Sequence, residues 1–581
     1  MLRKNAALRL GCIALLLLLV PGALSAGTAF KPAQNYRVGG GVTSAAVADL
    51  NGDGKPDLVV TSGAGGNDGH GVVTVLLGTG DGTFHRLTGF DSGAGFATSV
   101  AVADVNGDGK PDLVVANCAS GIEPGNCPDE VSDGVVAVFL GNGNGTFQPP
   151  VTYDSGGGAS VSVAVADVNL DGKLDVVVGN ECEDQACTAP GGAGVLLGNG
   201  DGTFRPVVTY SGVGQGSVAV ADVNRDGNPD LVLGAPGGGV SVMLGNGDGT
   251  FQLLASYKVG GVGSVAAVIA DVNLDGKLDV VAVNSDGLVS VLLGNGDGTF
   301  QPAVIYRTGG DRSVSVAVAD VNGDSEPDVV VASCALKVSM CSATSEGAVS
   351  VLEGKGDGTL KRALTFDSGG LDADFVTVAD VNGDSRPDLI VTNYFSSDVG
   401  VLLNDGPYVT STVLTSSLNP STYGQSVTLT ATVTSLGPAA PTGTVTFKNG
   451  ASSIGTSTLS GGVATLTRRK LPAGTLSITA TYNGDTQSGK SKSPPIIQVV
   501  SQATTTTTIA SSLNPSAQGQ AVTFTAKVTS PTVKVTGTVT FTAGATNLGT
   551  ITLSGGKASV TTSSLPAGSN TITATYNGTA N

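Results

Sequence analysis

The chain has 581 residues, a net charge of −18, 87 Gly, no Trp and only 13% charged residues. That length exceeds one ordinary domain and predicts three or four, while 40% apolar residues exclude a wholly disordered chain. The acidic balance excludes nucleic acid and anionic lipid as natural partners, because phosphate would repel it.

The N-terminus carries Arg3, Lys4 and Arg9, then an apolar run over residues 10–20, then Ala23, Ser25 and Ala26 near a cut. This is the pattern of a signal peptide over residues 1–26. The run is too short for a permanent anchor, and Cys12 lies near its start and not after it, which rejects a lipoprotein acylation site. No second apolar run of membrane length follows. The mature chain is expected to be exported, secreted or held at the cell surface, with no membrane insertion.

High Gly with abundant Val, Thr and Ser predicts short strands and many turns, an all-β chain. The motif "ADLNGDGKPDLVV" starts at Ala48 and returns at Ala103, Ala166, Ala221, Ala270, Ala319 and Ala379, spaced 49 to 63 residues apart. A second motif, "LLGTGDGTF" at Leu76 and its relatives, follows each copy except the last in full form. Periods near 50 residues mean a repeat architecture. Each repeat holds four strand-like runs, which suits a β-propeller of seven blades over residues 27–407. The last repeat lacks its fourth strand. The N-terminal "GTAFKPAQNYRVGG" matches it in Phe30 and Tyr36, and is expected to close the ring. Phe84, Phe147, Phe204, Phe251 and Phe300 are then packing residues rather than ligand contacts.

The motif opens like an EF-hand loop, which needs a bidentate Glu at position 12 and flanking helices. Position 12, counted from Asp49, is Val60, and no other copy is acidic there. Position 8 is Pro in five copies and the flanks are strands, so this is no EF-hand. Oxygen side chains at positions 1, 3, 5 and 9, with a carbonyl near position 7, still form the hard shell calcium prefers. Gly54 at position 6 permits the positive φ of a tight loop. The alternative is a solvated turn held by Asx hydrogen bonds, with no metal. Three Asp per loop favour metal, since clustered carboxylates repel one another.

On these residues the repeats resemble the FG-GAP/VCBS repeats of bacterial exported proteins and the calcium loops of integrin α-subunit propellers. The resemblance implies a structural Ca²⁺ in each loop, up to seven in all. Carried over by position, the ligands are Asp49, Asn51, Asp53 and Asp57 with the Lys55 carbonyl; Asp104, Asn106, Asp108 and Asp112 with Lys110; and Asp167, Asn169, Asp171 and Asp175 with Lys173. The fourth and fifth sets are Asp222, Asn224, Asp226 and Asp230 with Asn228, and Asp271, Asn273, Asp275 and Asp279 with Lys277. The last two are Asp320, Asn322, Asp324 and Asp328 with Glu326, and Asp380, Asn382, Asp384 and Asp388 with Arg386. These two depart from the pattern, with Ser325 and Ser385 in place of the Gly. Asp81 and Asp248, in the second motif, read as turn formers.

Six Cys follow the signal peptide as local pairs, Cys118/Cys127, Cys182/Cys187 and Cys334/Cys341, expected to form disulfides in an exported chain. A zinc site is the alternative, but no His lies near any pair. Each pair sits in an insert between second and third strands, on the face opposite the calcium loops. Two inserts are acidic, with Glu123, Asp129, Glu130, Asp133, Glu181, Glu183 and Asp184. Stapled, variable loops on a rigid scaffold are where binding sites usually sit. These residues are candidates for a surface that takes a basic or metal-bridged partner, and solvated loops without a ligand are the alternative.

After Pro407 the composition turns to Thr and Ser with alternating apolar residues. "SSLNPSTYGQSVTLTATV" from Ser416 returns as "SSLNPSAQGQAVTFTAKV" from Ser511. Period-two strands in a unit near 95 residues indicate two β-sandwiches, residues 408–500 and 501–581, the second expected to be truncated. They resemble bacterial Ig-like repeats of surface proteins, which implies spacer or adhesive modules. The expected function is an exported calcium-binding adhesion or binding module, a propeller head on an Ig-like stalk, with an extracellular protein or glycan as partner and no catalytic residue. An extracellular polysaccharide lyase or hydrolase, or a purely structural matrix protein, is the alternative. Only His70 and His85 are present, and no nucleophile motif surrounds either.

Overall fold

The computed structural model describes residues 28–63, 70–118, 133–183, 189–214, 216–235, 237–261, 265–334, 345–437 and 439–578. The signal sequence, Glu123, Cys127, Asp129, Glu130, Asp184, Cys187 and Cys341 lie outside them. All regular structure among the described residues is β-strand, and none of it is a helix long and apolar enough to cross a membrane.

Strand pairing divides the repeats into antiparallel four-stranded units. The first is Val42–Ala48, Asp57–Ser62, Val72–Gly78 and Phe84–Asp91. The second and third share one long strand, Val151–Ala166, whose start closes the second unit and whose end opens the third. The fourth to sixth units open with Val218–Ala221, Val265–Ala270 and Asp311–Ala319. The seventh has three strands from its own repeat, Ala373–Ala379, Asp388–Asn393 and Asp398–Leu402. Its fourth strand is Gln34–Arg37 from the N-terminus, with Gln34 opposite Val401 and Arg37 opposite Asp398, as the sequence predicts.

The second strand of each unit, such as Asp57–Ser62 or Asp279–Asn284, is buried along its whole length, except that Glu181 is exposed near the end of Asp175–Cys182 in the third. These near-continuous apolar runs are stable only with both sheet faces covered. Neighbouring units supply the cover: Val59, Val73 and Val75 of the first unit pack against Leu113, Val115 and Phe139 of the second. Every first strand touches the first strand of the next unit, and Ala373–Ala379 touches Val42–Ala48, so the ring closes.

Hydroxyls tie these inner strands together. Thr43 Oγ1 donates to the Ala97 carbonyl and Thr98 Oγ1 to that of Ser160, each at 2.8 Å. Ser162, Ser217 and Ser315 instead accept the amides of Val218, Ala267 and Val376 in the next unit. The inner strands surround an axial cavity of about 780 Å³, which also reaches Glu181, Arg312 and Asp374.

The expected packing role of the phenylalanines is visible as an edge-to-face ladder around the rim. Phe147 meets Phe90, Phe204 meets Tyr153, Phe251 meets Tyr210 and Phe300 meets Tyr257, with centroids 5.5 to 5.8 Å apart. The N-terminal stretch contributes twice: Phe30 meets Phe366 at 5.2 Å and Tyr36 meets Phe84 at 5.5 Å.

Beyond the ring, Thr410–Ser416, Val427–Ser435 and Val463–Arg468 form one sheet facing a second, built on Gly474–Tyr482. Alternate residues point inward, as in Val427–Ser435, where Val427, Leu429, Ala431 and Val433 are buried. The pattern returns in Thr506–Ser511, Val522–Thr529 and Lys557–Thr562 over Thr538–Ala543. In the first sandwich Ile496–Ser501 flanks Gly474–Tyr482. Among the described residues no strand flanks Ile572–Tyr576 in that way, and Ile572, Ala574 and Tyr576 are half-buried where Ile478, Ala480 and Tyr482 are fully buried.

Candidate calcium loops

The eight-residue loop between first and second strands has one register throughout. Ala48 pairs with Asp57, Ala103 with Asp112, and so on to Ala379 with Asp388. The apolar residue at position 2 anchors the loop: Leu50, Val105, Val168, Val223, Val272, Val321 and Val381 are all buried.

The carboxylate at position 1 folds the loop around itself. Asp49 Oδ1 accepts the Asp53 amide at 3.1 Å and its Oδ2 the Gly54 amide at 2.8 Å. Asn51 Oδ1 accepts the Asp53 amide at 2.8 Å, and Asp53 Oδ1 accepts the Lys55 amide at 3.0 Å. The same four bonds recur in the sixth loop around Asp320 and in the seventh around Asp380. The Gly-to-Ser departures leave this shape intact. Ser325 and Ser385 adopt φ of 66° and 64°, and their amides reach the position-1 carboxylate at 2.7 Å. A serine tolerates the left-handed conformation at a cost of about 1–2 kcal/mol, which these loop bonds offset.

Position 9 plays a part that the sequence motif alone did not reveal. Asp57 is fully buried; its Oδ2 accepts the Leu50 amide at 3.0 Å and its Oδ1 the Gly78 amide at 2.8 Å. Asp112, Asp175, Asp230, Asp279, Asp328 and Asp388 repeat both bonds, with Asn404 in place of the glycine in the last unit. Each therefore staples its own loop to the turn between third and fourth strands. The signal was available, since every copy has Leu or Val at position 2 and six of the seven have an "LG" or "EG" before the second turn.

Burial raises the pKa of Asp57, against the two amides that lower it, and the charges of Asp53 and Asp49 raise it further. The same balance pushes Asp388 up to about 6 and Asp328 up to about 8. A buried carboxylate facing two more is a place where a cation would relieve both desolvation and repulsion. The donors are hard oxygens: Asp49 Oδ1 already accepts the Gly52 and Asp53 amides, while its Oδ2 and both oxygens of Asp57 each accept one amide and keep a lone pair. Among the described residues no three His, Cys, Asp or Glu side chains form a cation-holding group by themselves; the position-3 amide and position-7 carbonyl belong to the set. By donor chemistry these residues fit calcium.

The sixth and seventh loops differ from the first five in what covers them. In the first five, positions 4 to 6 are exposed. In the sixth, Gly323 and Asn322 are buried, and a Cβ on Gly489 of the first sandwich would collide with the Gly323 carbonyl. Ser325 Oγ lies 3.5 Å from the Thr410 carbonyl. In the seventh, the Arg386 guanidinium stacks 4.4 Å from the Tyr408 ring centroid, donates to the Gly406 carbonyl at 2.9 Å, and pairs with Asp384 at 2.6 Å.

The second-motif aspartates are turn formers. Asp81 Oδ1 accepts the Thr83 amide at 3.0 Å and both flanking threonine hydroxyls, and those hydroxyl bonds hold its carboxyl down at about 2. Cys118, Cys182 and Cys334 are buried at the ends of second strands. Cys182 pairs with Gly158, at the end of the unit away from Asp175 and Ala166, so this second strand ends on the side opposite the loop. Glu181 and Glu183 are exposed there, and Glu181 borders the axial cavity. His70 Nδ1 meets Asp91 Oδ2 at 2.9 Å as a surface pair, both side chains about half exposed.

Comparison with known families matches an FG-GAP-like repeat at residues 49–115, 130–178, 179–233, 222–282 and 271–331, and an FG-GAP repeat at 96–139 and 314–352. A bacterial Ig-like domain (group 3) matches residues 414–501 and 507–581. Integrin alpha pat-2 of Caenorhabditis elegans is 32% identical over 221 residues, 33% of this chain and 17% of that protein. Human phosphatidylinositol-glycan-specific phospholipase D is 33% identical over 175 residues, 27% of this chain and 19% of that protein. The chain thus spans less than a fifth of these relatives. The extracellular domain of the two-component system protein BT4673 of B. thetaiotaomicron aligns over 82% of this chain and 59% of that one, with 10% identity and a TM-score of 0.37.

Proposed function

Because the chain is an FG-GAP repeat protein with C-terminal bacterial Ig-like domains, we propose that it is an exported calcium-binding module that binds an extracellular protein or glycan. The repeats form the binding head and the Ig-like domains its stalk. The observation that carries the calcium part is the sevenfold recurrence of one loop, in which a buried carboxylate at position 9 faces Asp and Asn oxygens. Calcium bound there would be structural. It would compensate the loop carboxylates while the position-1 and position-9 residues hold loop, hairpin and inner strand in one register. Extracellular affinities of roughly 10⁻⁴–10⁻³ M suit that role.

The ligand surface belongs on the opposite face, where Glu181 borders the axial cavity and Glu183 is exposed at the start of a Cys-bearing insert. Disulfides Cys118–Cys127, Cys182–Cys187 and Cys334–Cys341 would staple those inserts, in keeping with an oxidising compartment. The similarity to an integrin α chain supports the binding reading. A glycan and matrix-protein array, probed with and without chelator, tests it. Saturable binding that falls on charge reversal at Glu130 and Glu183 supports the assignment; binding unchanged by both reversals removes it.

A second reading, an extracellular hydrolase, is favoured by one observation, the similarity to a protein named as a phospholipase D. Release of product from polysaccharides or glycolipids by the full chain would establish it.

A further inference from the structure

The sixth loop stands apart from the first five because a second domain sits on it. The Gly489 backbone presses on the Gly323 carbonyl so closely that Gly489 has no room for a side chain, and a side chain on Gly323 would meet the Pro407 and Tyr408 carbonyls. The sandwich residues that make this contact are themselves braced. Gly489 N donates to the Tyr408 carbonyl at 2.8 Å, and Thr410 Oγ1 donates to the Gly489 carbonyl at 2.9 Å. Lys490 and Lys492 of the same hairpin act electrostatically on Glu326, at position 7 of the loop. Within the loop, Asn322 Nδ2 donates to Asp328 Oδ1 at 3.1 Å, joining position 3 to position 9.

The sixth loop is therefore shielded from solvent where the first five are open, with Asn322 and Gly323 buried and Asp324 half-buried. A desolvated cluster of Asp320, Asp324 and Asp328 without a counter-ion disfavours docking, whereas a bound divalent cation removes that cost. Lys361 acts on Asp324 and Asp328 but is itself paired with Glu353 at 2.8 Å, and Lys490 and Lys492 act on Glu326, so three lysines face five acidic groups and leave the aspartates short of positive charge. Resting on the calcium reading above, we propose that the sixth loop is an interdomain cation site, in which ion binding and docking of the first Ig-like domain favour each other. The two effects must then be reciprocal. Calcium stiffens the joint between head and stalk, and the docked stalk retards release of that one ion.

Hydrogen exchange of residues 484–492, followed in the full chain with calcium and with chelator, tests the linkage, with calorimetry on the same samples. Calcium is expected to slow exchange there at least tenfold. Asp324→Asn should abolish that protection while Asp53→Asn, the matching change in the uncovered first loop, leaves it. From the other side, Gly489→Val should speed the slowest phase of calcium release about tenfold without changing the faster phases. Bound calcium with unchanged exchange at 484–492, or equal effects of Asp324→Asn and Asp53→Asn, overturns the linkage alone. Absence of any calcium heat overturns both the linkage and the calcium reading.

Discussion

The Tyr36 and Phe84 rings meet edge to face, centroids 5.5 Å apart with an interplanar angle of 85°, although Tyr36 lies on the strand that completes the last unit and Phe84 on the outer strand of the first. The contact repeats the one between Tyr153 and Phe204 inside the ring, at 5.5 Å and 81°. The seam where the chain closes on itself is therefore built like the aromatic junctions inside the ring; between the fifth and sixth units Leu360 packs with Tyr306 instead. Phe30, bridged to Asn404 ahead of that strand, adds a further edge-to-face contact with Phe366.

If the seam carries the same weight as an internal junction, Tyr36→Ala should lower the stability of the ring about as much as Tyr210→Ala. Each removes a half-buried aromatic pair, worth about 2–3 kcal/mol with the packing lost. Denaturant unfolding of the two variants checks this. A neutral Tyr36→Ala would mean that the ring holds without its N-terminal strand.

The position-9 staple predicts a large effect for a small change. Asp230→Ala leaves the Val223 and Gly245 amides without their acceptor in a buried site, and should cost about 3 kcal/mol or more in chelator, where metal plays no part. Thermal unfolding measures it. A loss below about 1 kcal/mol would show the two bonds to be incidental.

Positive φ at non-glycine loop positions predicts gains rather than losses. Leu170, Leu274 and Ser385 hold φ of 59°, 58° and 64°, where sibling loops have Gly. Leu274→Gly and Ser385→Gly should each stabilise by about 0.5–1 kcal/mol, strain relief being partly offset by glycine entropy. Unfolding midpoints that fall instead would show that those side chains make compensating contacts.

Asp374 lines the axial cavity, and a pH dependence follows from it. Desolvation and the Asp372 charge push it up to about 7, against the Arg312 guanidinium, and Tyr394 faces both carboxylates. The folded state therefore holds a proton that the unfolded chain releases near pH 4. Its contribution is greatest below that pH and is lost as pH rises from about 4 to about 7. In chelator, the stability of the parent chain relative to Asp374→Asn should fall by up to about 1.4 kcal/mol per pH unit across that window, and level above it. A difference that is flat from pH 4.5 to 8 would contradict this.

The strand order, the loop spacing and the N-terminal closing strand could be read from sequence, because each rests on local pattern: buried runs, turn residues and a repeated nine-position motif. The aromatic ladder was half legible; Phe204 declared itself by recurrence, but its partner Tyr153 lies in the preceding repeat and is paired only by folding. Ser325 and Ser385 depart from the glycine pattern, and sequence could not show that the surrounding amide bonds hold serine in the same conformation. The cover on the sixth loop was invisible, since Gly323 and Gly489 carry no pattern that links them. The roles of Glu123, Asp129 and Glu130 remain expectations from sequence, resting on acidity and insert position.

The most direct test of the account is calorimetric titration of calcium into the chelator-treated full chain, paired with thermal unfolding of the same samples. The account predicts saturable binding of several ions per chain at roughly 10⁻⁴–10⁻³ M, with a higher unfolding temperature, both reduced by Asp→Asn changes at loop position 1. No heat and no shift in unfolding temperature up to about ten times that concentration would contradict it.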